Sequence, residues 1–124
     1  MKYLAYFLGG FRCIIGLTLL VLPHLGLPGW IHAFSSENEV AIFLAQHMGI
    51  RDAVIGLGFI FGVWSQSTHW RLWLLAAMLC DLTDGLLVLL HPDLFEPNDV
   101  LSNLMASTVL LLLEGWVLVK LKVR

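Results

Sequence analysis

The chain has 124 residues, 59% hydrophobic and only 13% charged, with a mean hydropathy of +0.86 and a formal net charge of −2. An average soluble domain carries about 25% charged residues, so this composition excludes a small water-soluble monomer, whose large relative surface needs more charge, and it excludes intrinsic disorder. A net charge of −2 and a pI near 6.2 leave no basic face for phosphates, which argues against nucleic acid as a partner.

What remains is an integral membrane protein with the lipid bilayer as its partner. Four apolar stretches, at about 3–22, 40–64, 71–90 and 100–119, are each long enough to cross about 30 Å of hydrocarbon as a helix. None shows the two-residue alternation of a barrel strand. Pro23 closes the first stretch, and Ser36-Glu37-Asn38-Glu39 reads as a capping box opening the second. The polar turn Ser65-Gln66-Ser67-Thr68 precedes the third, His91-Pro92 ends it, and Asn98 or Asp99 is expected to cap the fourth. Arg12 interrupts the first apolar run and no small-residue cleavage site follows, so that run is expected to be a retained span rather than a signal peptide. The expectation is one all-α domain over residues 1–124, a bundle of four transmembrane helices.

Lys2, Arg71, Lys120, Lys122 and Arg124 fall on one side of that arrangement, whereas 24–39 and 91–99 hold no Lys or Arg. By the positive-inside rule both termini are expected to be cytoplasmic. The outer loops instead carry Glu37, Glu39, Asp93, Glu96 and Asp99.

Ionisable residues inside the spans are costly in hydrocarbon and need partners or water. Counting along helices of alternating direction brings Arg12, Arg51, Asp52, Asp81 and Asp84 to one depth. Asp81 and Asp84 are three apart and His47 and Arg51 four apart, so each pair shares a helical side. Gly9 and Gly16 bracket Arg12, and Gly49 and Gly56 bracket Asp52, which lets backbones approach at the charged layer. Asn103, Ser107 and Glu114 form one stripe on the fourth helix. Each helix thus turns a polar stripe inward, and the expected site comprises Asp52, Asp81, Asp84, Arg51, Arg12 and His47 as acid–base residues. Asn103, Ser107 and Gln46 are expected to line a pocket on its outer side. Glu114 is read as a group at the cytoplasmic boundary.

Two carboxyls held on one face by an arginine can divide the roles of acid and base, and with three aspartates competing for two arginines one of Asp81 and Asp84 is expected to keep its proton. The fitting substrate is a small lipophilic molecule undergoing isomerisation, cyclisation, or epoxide opening and water addition. The Asp–Arg–Asp set is similar in residue type to that of limonene-epoxide-hydrolase-type enzymes, which are soluble and of another fold. Proton-coupled transport or conduction by a homo-oligomer uses the same residues differently, but four helices are few for alternating access. The bland alternative is a structural or partner-binding subunit in which the charges lock helix register. His24, His32 and His91 lack HxxxH or ExxH spacing, and Cys13 and Cys80 sit in apolar runs, so no metal, cofactor or disulfide framework is expected.

The segment Gly49-Ile50-Arg51-Asp52-Ala53-Val54-Ile55-Gly56-Leu57-Gly58, with Arg12 in a first helix ending Leu22-Pro23 and the Asp81-Leu82-Thr83-Asp84-Gly85 segment, resembles an uncharacterised family of small bacterial four-helix membrane proteins. The resemblance implies a four-helix fold and a bacterial inner membrane, and no activity.

Overall fold

The computed structural model describes residues 1–23, 39–92 and 97–121. They form four helices, α1 (Lys2–Val21), α2 (Glu39–Trp64), α3 (Trp70–Leu90) and α4 (Pro97–Lys120), with no strand among the described residues. The first three begin and end within a residue of the expected stretches.

Local chemistry explains the ends. At the close of α1 the Leu22 N–H donates to the Thr18 carbonyl at 2.8 Å, and Pro23 has no N–H to continue the ladder. After α2 the Gln66 N–H donates to Val63 and the Ser67 N–H reaches back to Gly62 at 3.1 Å, while Gln66 adopts φ 55°. That is a Schellman stop, built here on glutamine rather than glycine in the left-handed region. Ser67 Oγ then accepts the His69 N–H at 3.2 Å, turning the chain into α3. α4 begins earlier than expected: Pro97 is its first residue, where a missing N–H costs nothing. Asn98 and Asp99 therefore sit inside the first turn instead of capping it. Of the expected capping box, Ser36, Glu37 and Asn38 lie outside the described residues, as do His24, His32, Asp93, Glu96, Lys122 and Arg124.

Successive helices are antiparallel, so Lys2, Trp64, Arg71 and Lys120 gather at one end of the bundle. α1 packs most closely on α2 and α3 on α4, whereas α1 barely touches α4. The α1/α2 seam is backbone against backbone. A Cβ on Gly16 would lie 2.5 Å from both the Gly49 carbonyl oxygen and the Ala53 nitrogen, and one on Gly56 would lie 2.6 Å from the Gly9 oxygen. Only hydrogen fits, and the seven-residue spacing on both helices repeats the contact above and below Arg12 and Asp52. Gly62 meets the Trp70 backbone and Gly58 the Trp73 ring across the α2/α3 seam.

The apolar core lies toward the Lys2 end, where Ala5, Leu8, Phe59, Val63, Trp70, Leu74, Val117 and Leu121 pack together. The outside is apolar too, with Phe7, Ile14, Phe61, Leu79, Leu101 and Leu112 among many exposed large side chains. α1, α3 and Val100–Lys120 of α4 are long and apolar enough to cross a membrane. α2 is 26 residues long and carries Gln46, His47, Arg51 and Asp52 among its apolar residues. The chain is a four-helix bundle with the exterior of a membrane protein.

Candidate functional site

Arg12 is 5% exposed and stands where the four helices converge. Its Nη1 donates to Asp52 Oδ1 on α2 at 3.0 Å, and its Nη2 donates to Asp81 Oδ2 on α3 at 2.6 Å. Glu114 Oε1 on α4 accepts from Nε at 3.0 Å and from Nη2 at 2.8 Å, and the Ala77 carbonyl accepts from Nη2 at 3.3 Å. One guanidinium thus joins every helix of the bundle, using the planar fork that suits arginine to carboxylates.

Helix polarity brings Arg12 and Glu114 together. Each Cα–Cβ bond leans toward its own helix N-terminus, so on antiparallel α1 and α4 the two side chains lean toward each other along the bundle axis. That lean closes the difference in level between them.

Arg51 forms a second hub. It grips Asp84 with both amino groups, Nη2 to Oδ2 at 2.8 Å and Nη1 to Oδ1 at 3.3 Å, and its Nη2 lies 3.6 Å from Asp52 Oδ2. Asp52 therefore links the two arginines. Both cations come from the α1/α2 hairpin, while Asp81, Asp84 and Glu114 all come from the α3/α4 hairpin. Ion pairs cross the seam where α1 and α4 hardly pack. Two guanidinium groups face four carboxyls, and two buried polar atoms, Glu114 Oε2 and Arg51 Nε, have no hydrogen-bond partner among the described residues.

A groove of about 140 Å³ runs between α3 and α4. Its floor includes Asp81, Gly85 and Ser107, and exposed Leu82, Leu86 and Leu89 line its open side. Gly85 keeps it clear, since a Cβ there would meet Ser107 Cβ only at 3.6 Å while a longer side chain would occupy the space. The groove connects the apolar exterior to a carboxylate of the Arg12 hub.

Of the residues expected in the site, Arg12, Arg51, Asp52, Asp81 and Asp84 do come together, though Asp81 and Asp84 serve different arginines. His47 does not join them: it is exposed on α2 and stacks on Phe43, with ring centroids 6.3 Å apart. Gln46 donates to the Leu20 carbonyl at 3.2 Å and ties α2 to α1, away from the groove. Ser107 lines the groove, and Asn103 is buried one turn from it. Glu114, read from the sequence as a boundary group, is 1% exposed and bonded to Arg12. Its signal was the Asn103/Ser107/Glu114 stripe, all three of which are buried. No group of three His, Cys, Asp or Glu side chains among the described residues could hold a metal ion.

No protein-family model matches the chain, and neither a curated protein nor a solved structure is similar to it.

Proposed function

We propose that the chain is a multi-pass protein of a bacterial inner membrane, with all four helices spanning and both termini cytoplasmic, and that its Arg/carboxyl cluster performs acid–base chemistry on a small lipophilic molecule. The observation that carries this reading is the groove between α3 and α4, which leads from the apolar exterior to Asp81, a carboxylate that shares Arg12 Nη2 with Glu114. A molecule dissolved in the bilayer reaches such a site sideways, without crossing water.

The chemistry follows from the shared arginine. One carboxyl delivers a proton to an alkene carbon or an epoxide oxygen, and the carboxylate left behind is held by the Arg12 fork. The second carboxylate takes a proton from the neighbouring carbon in an isomerisation or cyclisation, or from attacking water in an addition. One proton leaves the first carboxyl and one arrives on the second, so the proton count is conserved, and passage of that proton back between the two carboxyls that share Arg12 resets the cluster. No cofactor is required by this cycle.

Orientation rests on the end of the bundle that gathers Lys2, Arg71 and Lys120 with exposed Tyr3, Trp64 and Trp116. Lys120 Nζ lies 5.5 Å from the centroid of the exposed Trp116 ring, as suits an interfacial belt. Single cysteines introduced at Lys2 and Arg124, in a background without Cys13 and Cys80, are expected to resist a membrane-impermeant thiol reagent in intact cells and to react after lysis. Labelling of either one from outside contradicts this orientation.

Access is tested by photolabelling with a small apolar diazirine in bilayers. Label is expected to concentrate on Asp81, Ser107 and Thr108 and to fall several-fold in Gly85→Leu, which fills the groove. Label spread evenly over the exposed leucines, and unchanged in Gly85→Leu, speaks against a site reached through the groove.

A second reading has its own support, because Arg12 takes acceptors from all three other helices. In that reading the cluster is a lock between two hairpins and handles no ligand. The same photolabelling experiment separates the two, since a lock has no reason to collect label at Asp81.

A further inference from the structure

The charge count of the cluster points to the kind of molecule the groove takes. Arg12 and Arg51 supply two positive charges, against Asp52, Asp81, Asp84 and Glu114, so the fully ionised cluster is two negative charges in excess. Asp81 lines the groove and neither arginine does, so the charged group that a molecule in the groove meets is a carboxylate. Glu114, which shares Arg12 with Asp81, keeps one carboxyl oxygen buried with no donor among the described residues. In a low-dielectric interior such a surplus is met by protons or by a cation.

We infer that the molecule this site takes presents positive charge to Asp81, on a compact apolar body that fills the groove. This deepens the acid–base reading and rests on it: a site in negative excess favours a reaction that develops positive charge, such as protonation of an alkene or an epoxide. It disfavours one that develops an enolate or other anion. The volume sets the size. About 140 Å³ is close to the cavity of about 150 Å³ known to hold benzene in an engineered protein core, so one ring with a short charged arm fits. The remaining groove wall is leucine side chain, with the Thr108 hydroxyl turned back onto the Leu104 carbonyl at 2.7 Å. Specificity for a head group therefore falls to Asp81 and Ser107.

Benzylamine, benzyl alcohol and benzoate share a ring and differ in charge, and titration calorimetry of the purified protein in detergent, with protein-free micelles as blank, compares them. Benzylamine is expected to bind about tenfold tighter than benzyl alcohol, the margin of a charge-assisted hydrogen bond, and benzoate not at all. Asp81→Asn is expected to erase the margin, and Gly85→Leu to abolish binding of both. If alcohol and amine bind equally and both are lost in Gly85→Leu, the inference about charge is overturned while the groove remains a binding site. The same holds if benzoate binds best. If none binds in a Gly85-dependent way, the charge inference and the groove reading both fall. Retained folding of Gly85→Leu, read from the helical circular dichroism and melting temperature, keeps its result interpretable.

Discussion

Replacing Arg12 with glutamine is expected to lower stability by about 3–5 kcal/mol, the cost of removing one partner from a buried ion-pair set. The size follows from what is stranded. Asp52, Asp81 and Glu114 are each 6% exposed or less, and all three lose the Arg12 donor at once, Asp52 keeping Arg51 Nη2 at 3.6 Å. Arg12→Lys retains the charge but not the fork. A single ammonium cannot face three carboxylates on three helices, so most of the loss is expected to remain. Neutralising the acids as well, in an Arg12→Gln, Asp52→Asn, Asp81→Asn, Glu114→Gln variant, is expected to cost less than the single Arg12 change, because no uncompensated charge is then buried. Denaturation in detergent, followed by tryptophan fluorescence, checks the order. A single Arg12→Gln loss under about 1 kcal/mol, the range of an exposed pair, contradicts the assignment of Arg12 as the hub.

The second large effect belongs to the α1/α2 seam. Gly16→Ala is expected to destabilise by about 1–3 kcal/mol, as overpacking against an unyielding wall does. The wall here is the α2 backbone at Gly49 and Ala53, 2.5 Å from the new methyl carbon, and no rotamer relieves it. α1 must move away, which also lengthens the Arg12–Asp52 contact one turn below. Gly10→Ala makes the control, since a Cβ there meets nothing within 4 Å. It is expected to be neutral or to stabilise by up to about 1 kcal/mol through helix propensity. Equal effects at the two glycines contradict the close backbone contact.

Four helices are readable because each apolar run has the length of a span and the first three end on proline or a polar turn. The tight α1/α2 seam was readable as well, from glycines at seven-residue spacing on either side of Arg12 and Asp52. His47 was misjudged by its relation to Arg51. At 100° per residue it lies about 140° around α2 from Asp52, the residue that faces inward, while Arg51 sits about 100° away and reaches the interior only because its side chain is long. Asp81 and Asp84 lie about 60° apart on α3, enough for each to turn to a different arginine. Counting residues gives the level of a Cα but not the lean of its side chain, which is why the count puts Glu114 near a boundary although its carboxyl reaches Arg12. The groove had no sequence signal, because it depends on Gly85 facing Ser107 across two helices.

Acid–base work requires a cluster that holds exchangeable protons, and the surplus of carboxyls over guanidinium groups favours one. Infrared difference spectroscopy across a pH titration of the protein in bilayers measures this directly. A protonated-carboxyl band is expected between pH 5 and 8 and is expected to disappear in Asp81→Asn or in Glu114→Gln, the two acids that share Arg12 Nη2. If no protonated carboxyl appears in that range, all four carboxyls are ionised against two guanidinium groups, the cluster has no proton to give, and the acid–base reading is contradicted.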